Sequence, residues 1–287
     1  MQFIVGVIIV FACVLGGYAA MGGKLAVLNQ PFELVIIGGA AVGAYIIGNS
    51  PKVLKATGGA LGDLIKGSPY TKQSYIDLLS LQFTIFKLAK TKGMLAVESH
   101  IENPEESSIF QQFPSFLKDH HAVAFFCDYL RLITMGSEDP HKMDDLMEAE
   151  LDTHHHEREE LSGAFQTMAD GVPALGIVAA VLGIIKTMGS LDKPPEYLGK
   201  LIGGALVGTF LGVFLAYGVI GPIASFLGKT YAAEGKYYQC IKAGLMAHMN
   251  GFAPSISVEY ARKVLTSDMR PTFIELEEAV NELPPVQ

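Results

Sequence analysis

Residues 201–228 read LIGGALVGTFLGVFLAYGVIGPIASFLG, 28 positions without one charged side chain. A run of that length covers the roughly 30 Å hydrocarbon layer as a helix rising about 1.5 Å per residue. Three further blocks share the property. Met1 to Gly23 carries no charge, Leu34 to Pro51 follows Glu33 without one, and Gly171 to Ile185 is extended by Lys186, whose stem can snorkel, and by Thr187, Met188 and Gly189. A secretory signal is the rival reading of the first block, but Met1-Gln2 supplies no basic leading region and a second apolar block follows soon after, so it is read as an uncleaved span.

Around these blocks the chain has 287 residues, half of them apolar and 17% charged, with a mean hydropathy of +0.34. That composition excludes an intrinsically disordered chain. A net charge of -8 excludes the basic footprint of a nucleic-acid binder. Cys13, Cys127 and Cys240 are odd in number and far apart, so they form neither a disulfide scaffold nor a zinc site, and Trp is absent. Lys52, Lys55 and Lys66 follow the second block and Lys229 and Lys236 the fourth, whereas only Lys24 lies between the first two. Basic residues stay on the cytoplasmic side, which puts both termini in the cytoplasm. The loop holding Lys193 and Lys200 is a weak contrary signal.

The middle segment has apolar residues near helical period at Ile76, Leu79, Phe83, Phe86 and Leu88, and again at Phe126, Tyr129, Leu130 and Ile133. These read as amphipathic helices over Tyr75–Ala96 and Val123–Ile133. Asn103-Pro104 and Ser137-Glu138-Asp139-Pro140 read as turns, the latter starting an acidic helix over Met143–Leu161. The expectation is an all-α integral membrane protein with four transmembrane helices and a large cytoplasmic helical domain. The expected division is 1–50 (spans one and two), 51–168 (cytoplasmic), 169–228 (spans three and four) and 229–287 (cytoplasmic tail). No nucleotide loop, nucleophile elbow or metal-ligand spacing is present, so no enzyme is expected. His154, His155 and His156 point about 100° apart on a helix and read as a solvated polar face.

Between the membrane boundaries there is no Asp, Glu, His or Arg; Glu33, Asp170 and Lys186 sit at the edges. If ions pass, an edge carboxylate or a partner's carboxylate must carry them, and a non-conducting scaffold is the plain alternative. Gly204, Gly208 and Gly212 recur every four residues and invite the close approach of another helix, with a partner helix expected there. Beside them Ala205, Thr209, Gly212 and Ala216 share a face, matched on span three by Gly176, Ala180, Gly183 and Thr187. Packing explains such stripes and so does a path, and Thr209 can also bond its own preceding carbonyl. Pro173 and Pro222 fall at the cytoplasmic ends of their spans and leave the carbonyls of Ala169 and Gly218 without helical partners. A helix-end kink is one reading and a hinge or water-lined mouth the other.

The runs DGVPALGIVAAVLG (170–183) and LVGTFLG (206–212) resemble the MotA family of flagellar motor stator subunits, within the wider MotA/TolQ/ExbB proton channel family. QPFELVII (30–37), DYLRLI (128–133) and PTFIELEE (271–278) resemble further family blocks, so the likeness extends over nearly the whole chain. The resemblance implies a bacterial inner-membrane stator, a homopentamer around a MotB dimer that supplies the ion-carrying Asp and the peptidoglycan anchor, with torque delivered to the rotor protein FliG. It implies Thr209 and Ala180 as pore-lining residues and Pro173 and Pro222, next to Asp170, as conformational coupling residues. It also implies Lys90 and Glu98 as the rotor-facing pair. Lys90 stands where the family usually has Arg, which keeps the charge and loses the planar fork. The coupling ion is expected to be the proton rather than sodium, because Ala180 adds no second hydroxyl beside Thr209, and no cofactor is expected. An ExbB- or TolQ-like energiser of envelope transport is the alternative within the same resemblance.

Overall fold

The computed structural model describes residues 2–136 and 139–284, with nothing to be said of the Lys66 side chain. Thirteen α-helices, a 3-10 turn at Phe110–Gln112 and a π-turn make up the ordered elements, and no strand occurs among the described residues. They form two compact units, 1–67 with 157–230 and 68–156 with 231–287.

The first unit holds the apolar helices: α1 (Gln2–Ala20), the short α2 (Leu25–Leu28), α3 (Pro31–Gly48), α4 (Pro51–Lys66), the later part of α9 (Pro140–Met188) and α10 (Pro195–Leu215). A π-turn at Ala216–Ile220 leads into α11 (Gly221–Met249). Among the described residues, four helical segments are long and apolar enough to span a membrane: Gln2–Ala20, Leu25–Gly48, Pro140–Met188 and Pro195–Met249. The second begins earlier than the charge count implied, because α2 precedes Glu33 and the chain re-enters helix at Pro31, whose fixed φ suits a first helical position. These helices expose most of their apolar side chains; α1 buries none and α3 only Ile37 and Ala41. Lipid tails are as apolar as the side chains, so such helices are held by close packing rather than by withdrawal from water. Ile37, Ala41, Val172, Ala179 and Ala216 form the small core of this unit, and Phe11 meets Phe214 edge-on at 4.9 Å.

The second unit is built on α5 (Lys72–Lys92), followed by α6 (Leu95–Glu102), α7 (Pro114–Leu117), α8 (His120–Thr134), α12 (Pro254–Lys263) and α13 (Phe273–Asn281), with the adjoining parts of α9 and α11. A reciprocal Thr71/Ser74 capping box starts α5, and Gly93, at φ 86, ends it. The amphipathic helix expected over Tyr75–Ala96 differs in two ways. It stops at Lys92, and it is buried on nearly every side, including Ser80, Gln82 and Thr84. Of these, Gln82 Nε2 donates to the carbonyl of Ile241 at 3.1 Å and Thr84 Oγ1 to that of Ser80 at 2.8 Å, while Gln82 Oε1 is buried without a partner among the described residues. Around Phe126 the rings of Phe116, Phe110 and Phe86 lie 6.0, 6.3 and 6.5 Å away. Such pairs contribute about 0.5–1.5 kcal/mol each beyond area burial. α8 is amphipathic as read from sequence, capped by Asp119, whose Oδ1 accepts from the Ala122 amide at 3.1 Å.

The acidic segment does not form a helix of its own: α9 begins at Pro140 and continues to Met188. Of the turn expected before it, Ser137 and Glu138 lie outside the described residues. Both prolines read as span ends therefore sit inside continuous helix, Pro173 within α9 and Pro222 in the first turn of α11. The unit boundaries differ from the expected division accordingly, with α4 and residues 157–168 grouped with the spans. His154 is less solvated than read, its ring 5.0 Å from Tyr238 and its Nε2 3.5 Å from Glu234.

Candidate functional site

The two small-residue faces meet each other. A methyl placed on Gly212 falls 2.7 Å from Gly176 Cα, and one placed on Gly183 falls 2.7 Å from Ala205 Cβ. On Gly208 it falls 3.1 Å from Ala179 Cβ and 3.2 Å from the Ala180 nitrogen. The glycines thus bring α9 and α10 to backbone contact, as only residues without a Cβ allow. This corrects the expectation of a partner helix on the Gly204, Gly208, Gly212 ridge. Within the chain it is already occupied, by α9 and by the Gln30 and Glu33 side chains from the start of the second span.

Consumption of that ridge separates the two residues expected to line a path. Ala180 is buried at the α9–α10 contact, while Thr209, one step round from Gly208, is half-buried. Thr187 and Thr230 bond back to the carbonyls four residues earlier, at 2.9 and 3.1 Å. Thr209 does not bond Ala205 in this way, and among the described residues its hydroxyl has no partner. A free hydroxyl can both donate and accept toward water or a partner's carboxylate.

Glu33 is the residue that sequence reading left at the edge. One turn into the second span, its Oε2 is sealed without a hydrogen-bond partner, 2.9 Å from where a Gly208 Cβ would stand. Lys186 lies within electrostatic reach. A residue with a Cβ at 208 would displace this carboxylate, so the glycine read as a helix-packing position also makes room for an acid. The signal was present in the sequence as an acid at a span's edge; what it faces was not.

Near the other end of the same spans, Asp170 is exposed and its Oδ1 accepts from Gln166 at 2.8 Å. Pro173, half-buried, follows it by three residues. Pro222 is exposed, and the π-turn over Ala216–Ile220 ends beside it: the Gly221 amide donates to the Ala216 carbonyl, five residues back. The helix therefore reaches Pro222 through one widened turn, a common way for a helix to accommodate a lost donor and a place where helices change register. Nothing in the sequence beyond Gly218, Gly221 and Pro222 marked this turn.

In the second unit Lys90 closes the last turn of α5 and Glu98 opens α6, with Gly93 between them. Both are exposed and neither forms an ion pair among the described residues. Other surface charges nearby are matched, as in Arg131 with Glu102 and Asp128 at 2.6 Å each. His248 stacks on Phe86 at 4.5 Å; burial, then Lys90, hold its imidazole below the usual histidine range. No metal-binding cluster occurs among the described residues.

Comparison with known proteins completes the picture. Residues 4–93 match the Motility protein A N-terminal family and residues 118–239 the MotA/TolQ/ExbB proton channel family. The chain is 45% identical over 280 residues to Motility protein A of Salmonella typhimurium, covering 98% of this chain and 95% of that protein. It is equally similar to Motility protein A of Escherichia coli, and 36% identical to Chemotaxis protein LafT of Vibrio parahaemolyticus over 98% and 99% of the two chains. The fold matches the structure of C. jejuni MotAB with a TM-score of 0.78 at 21% identity, over 93% and 96% of the chains. It also matches the flagellar MotAB stator complex from Bacillus subtilis with a TM-score of 0.73 at 24% identity, over 89% and 92%. The chain belongs to the motility protein A family, the membrane subunits of the flagellar stator.

Proposed function

We propose that this stator subunit, with a MotB dimer, conducts protons across the bacterial inner membrane and turns their flow into torque on FliG. Five copies around the dimer would place the MotB carboxylate against the Thr209 face, and the unpartnered Thr209 hydroxyl is the observation that carries this assignment. Thr187 and Thr230, by contrast, satisfy their hydroxyls within their own helices. Ala180 is assigned to the same path as the residue that sets the α9–α10 spacing behind Thr209. Glu33 takes the edge of the path: a sealed carboxylate oxygen without a donor costs about 1–3 kcal/mol, a cost relieved whenever a proton, water or partner donor reaches it.

Protonating the partner's carboxylate removes a buried charge and shifts the balance between subunit arrangements. The electrical part of the gradient supplies about 2.3 kcal/mol per charge per 100 mV. Pro173 and Pro222, each with a carbonyl released from the helical ladder and Pro222 beside a π-turn, are the points at which such a shift bends the helices. Asp170 lies on the Pro173 side of that bend. Lys90 and Glu98, without an ion pair among the described residues, present opposite charges to the rotor. The basic residues after the second and fourth spans put both termini and the second unit in the cytoplasm. Sodium is the less favoured ion, because Thr209 is the sole hydroxyl at this face.

The test is reconstitution with a MotB whose plug is removed. Flux above that of empty vesicles, reduced by Thr209→Val, supports the assignment. Flux equal to that of empty vesicles leaves a scaffold. Co-purification with a TonB-associated partner in place of a peptidoglycan-binding one would point to an envelope energiser, a reading that the match of residues 4–93 to the motility family disfavours.

A further inference from the structure

α4 begins two residues after α3 leaves its span, with Ser50 as N-cap. One side of it is packed inside the first unit, where Val53, Ala60 and Leu64 are buried. The flank about 100° round from it is apolar and uncovered. Leu61 is 43% exposed and Ile65 66%, and with half-buried Leu54 and with Gly58 they fall on one stripe at helical spacing. That stripe follows directly on the bare end of α3, where Ile47 is 88% exposed. Lys55 stands exposed at its edge, and Lys52, also exposed, lies farther round the helix. Lys52 is paired with Glu157 on α9. Lys55 has no ion pair among the described residues.

A helix with one packed side, a bare apolar stripe and a cation at the border is built for the plane between headgroups and acyl chains. Its continuity with a membrane span places it at that depth, and the charge of its border selects the sign of the headgroup. We infer that α4 lies in the membrane interface and binds anionic phospholipid, with Leu61 and Ile65 among the acyl chains and Lys55 on the phosphate. Lys52, held by Glu157, is a second headgroup contact kept in reserve. The exposed stripe thereby becomes a lipid-sensing border of the stator subunit, independent of which ion it conducts.

The chain contains no Trp, so Leu61→Trp installs a single reporter at the stripe. The full-length variant is reconstituted in phosphatidylethanolamine vesicles carrying the same minor fraction of brominated phosphatidylglycerol or brominated phosphatidylethanolamine, and quenching is read for each. One free lysine corresponds to about five-fold local enrichment of the anionic lipid at moderate salt. Adding Lys55→Gln should bring the two quenchers close to parity. Adding Glu157→Gln, which frees Lys52, should raise the enrichment by about another five-fold. Equal quenching by both lipids in the Leu61→Trp protein overturns headgroup recognition. Quenching by neither, with the protein shown to be inserted, means that protein rather than lipid covers the stripe and overturns the inference altogether.

Discussion

Gly212→Ala is a sharp test of how the spans are held. The added Cβ would stand 2.7 Å from Gly176 Cα and 3.1 Å from both the Gly176 nitrogen and the Val172 carbonyl oxygen, where ordinary contact begins at 3.4 Å. The facing helix must retreat by about 0.7 Å, and because every close atom is backbone, no side chain can rotate away. Overpacking of this kind costs about 1–3 kcal/mol, partly offset by the ~1 kcal/mol that Ala gains over Gly in a helix. A net loss of about 0–2 kcal/mol is expected. Gly199→Ala, on the same helix, meets nothing within 4 Å and receives only the favourable part. The two variants should therefore differ by about 1–3 kcal/mol, or roughly 2–12 °C in apparent melting temperature at ~2–4 °C per kcal/mol. Melting of both purified proteins in one detergent, followed by loss of the monodisperse elution peak, reads the difference. If Gly212→Ala melts with or above Gly199→Ala, the α9–α10 contact is not the close packing derived above.

Thr209→Val keeps the shape and removes the hydroxyl, so it should lower ion flux with assembly intact, and Thr209→Leu should lower it further by adding bulk; parent flux in both removes Thr209 from the path. Reversing Lys90 or Glu98 should weaken swimming while membrane assembly is unchanged, with rescue by the opposite reversal on FliG; normal swimming after both reversals contradicts the rotor contact, an outcome open to test because exposed pairs are individually worth only about 0–1 kcal/mol. Glu275, held at about 2 first by Lys72 and then by its capping bonds to Thr272, stabilises the start of α13 in its charged form. A depressed folded value means that this contribution is present above the ordinary 4.5 and is lost as pH falls from there toward 2. Protection factors of the α13 amides should thus fall over that window, and Lys72→Met should move the onset of that fall to higher pH; an unchanged onset rules out the Lys72 contact.

The spans were legible because charge-free runs of this length have few other uses, and the family blocks were legible for being long and ungapped. What the sequence concealed is mostly a matter of neighbours. Pro173 and Pro222 read as helix ends because a missing donor usually stops a helix in water; inside α9, and beside a π-turn, the helix continues. The helix read as amphipathic over Tyr75–Ala96 runs through the core as α5, where Gln82 bonds an α11 carbonyl and Thr84 its own backbone. The glycine ridge announced a close approach without naming the helix that makes it, and that helix proved to be α9 of the same chain. Thr209 was picked out as a lone hydroxyl, but that it declines the backbone bond taken by Thr187 and Thr230 is a property of the fold. Glu33 was visible as an edge acid, and only packing shows its oxygen sealed against Gly208.

The central claim is that this chain builds a proton path with its partner, and acidification of vesicles measures it most directly. The complex with plug-free MotB is reconstituted in sodium-free buffer, and an inward-negative potential is imposed while lumenal pH is followed. The account predicts acidification well above that of empty vesicles, reduced by Thr209→Val and indifferent to added sodium. Acidification no faster than in empty vesicles, or flux that appears only when sodium is supplied, would contradict it.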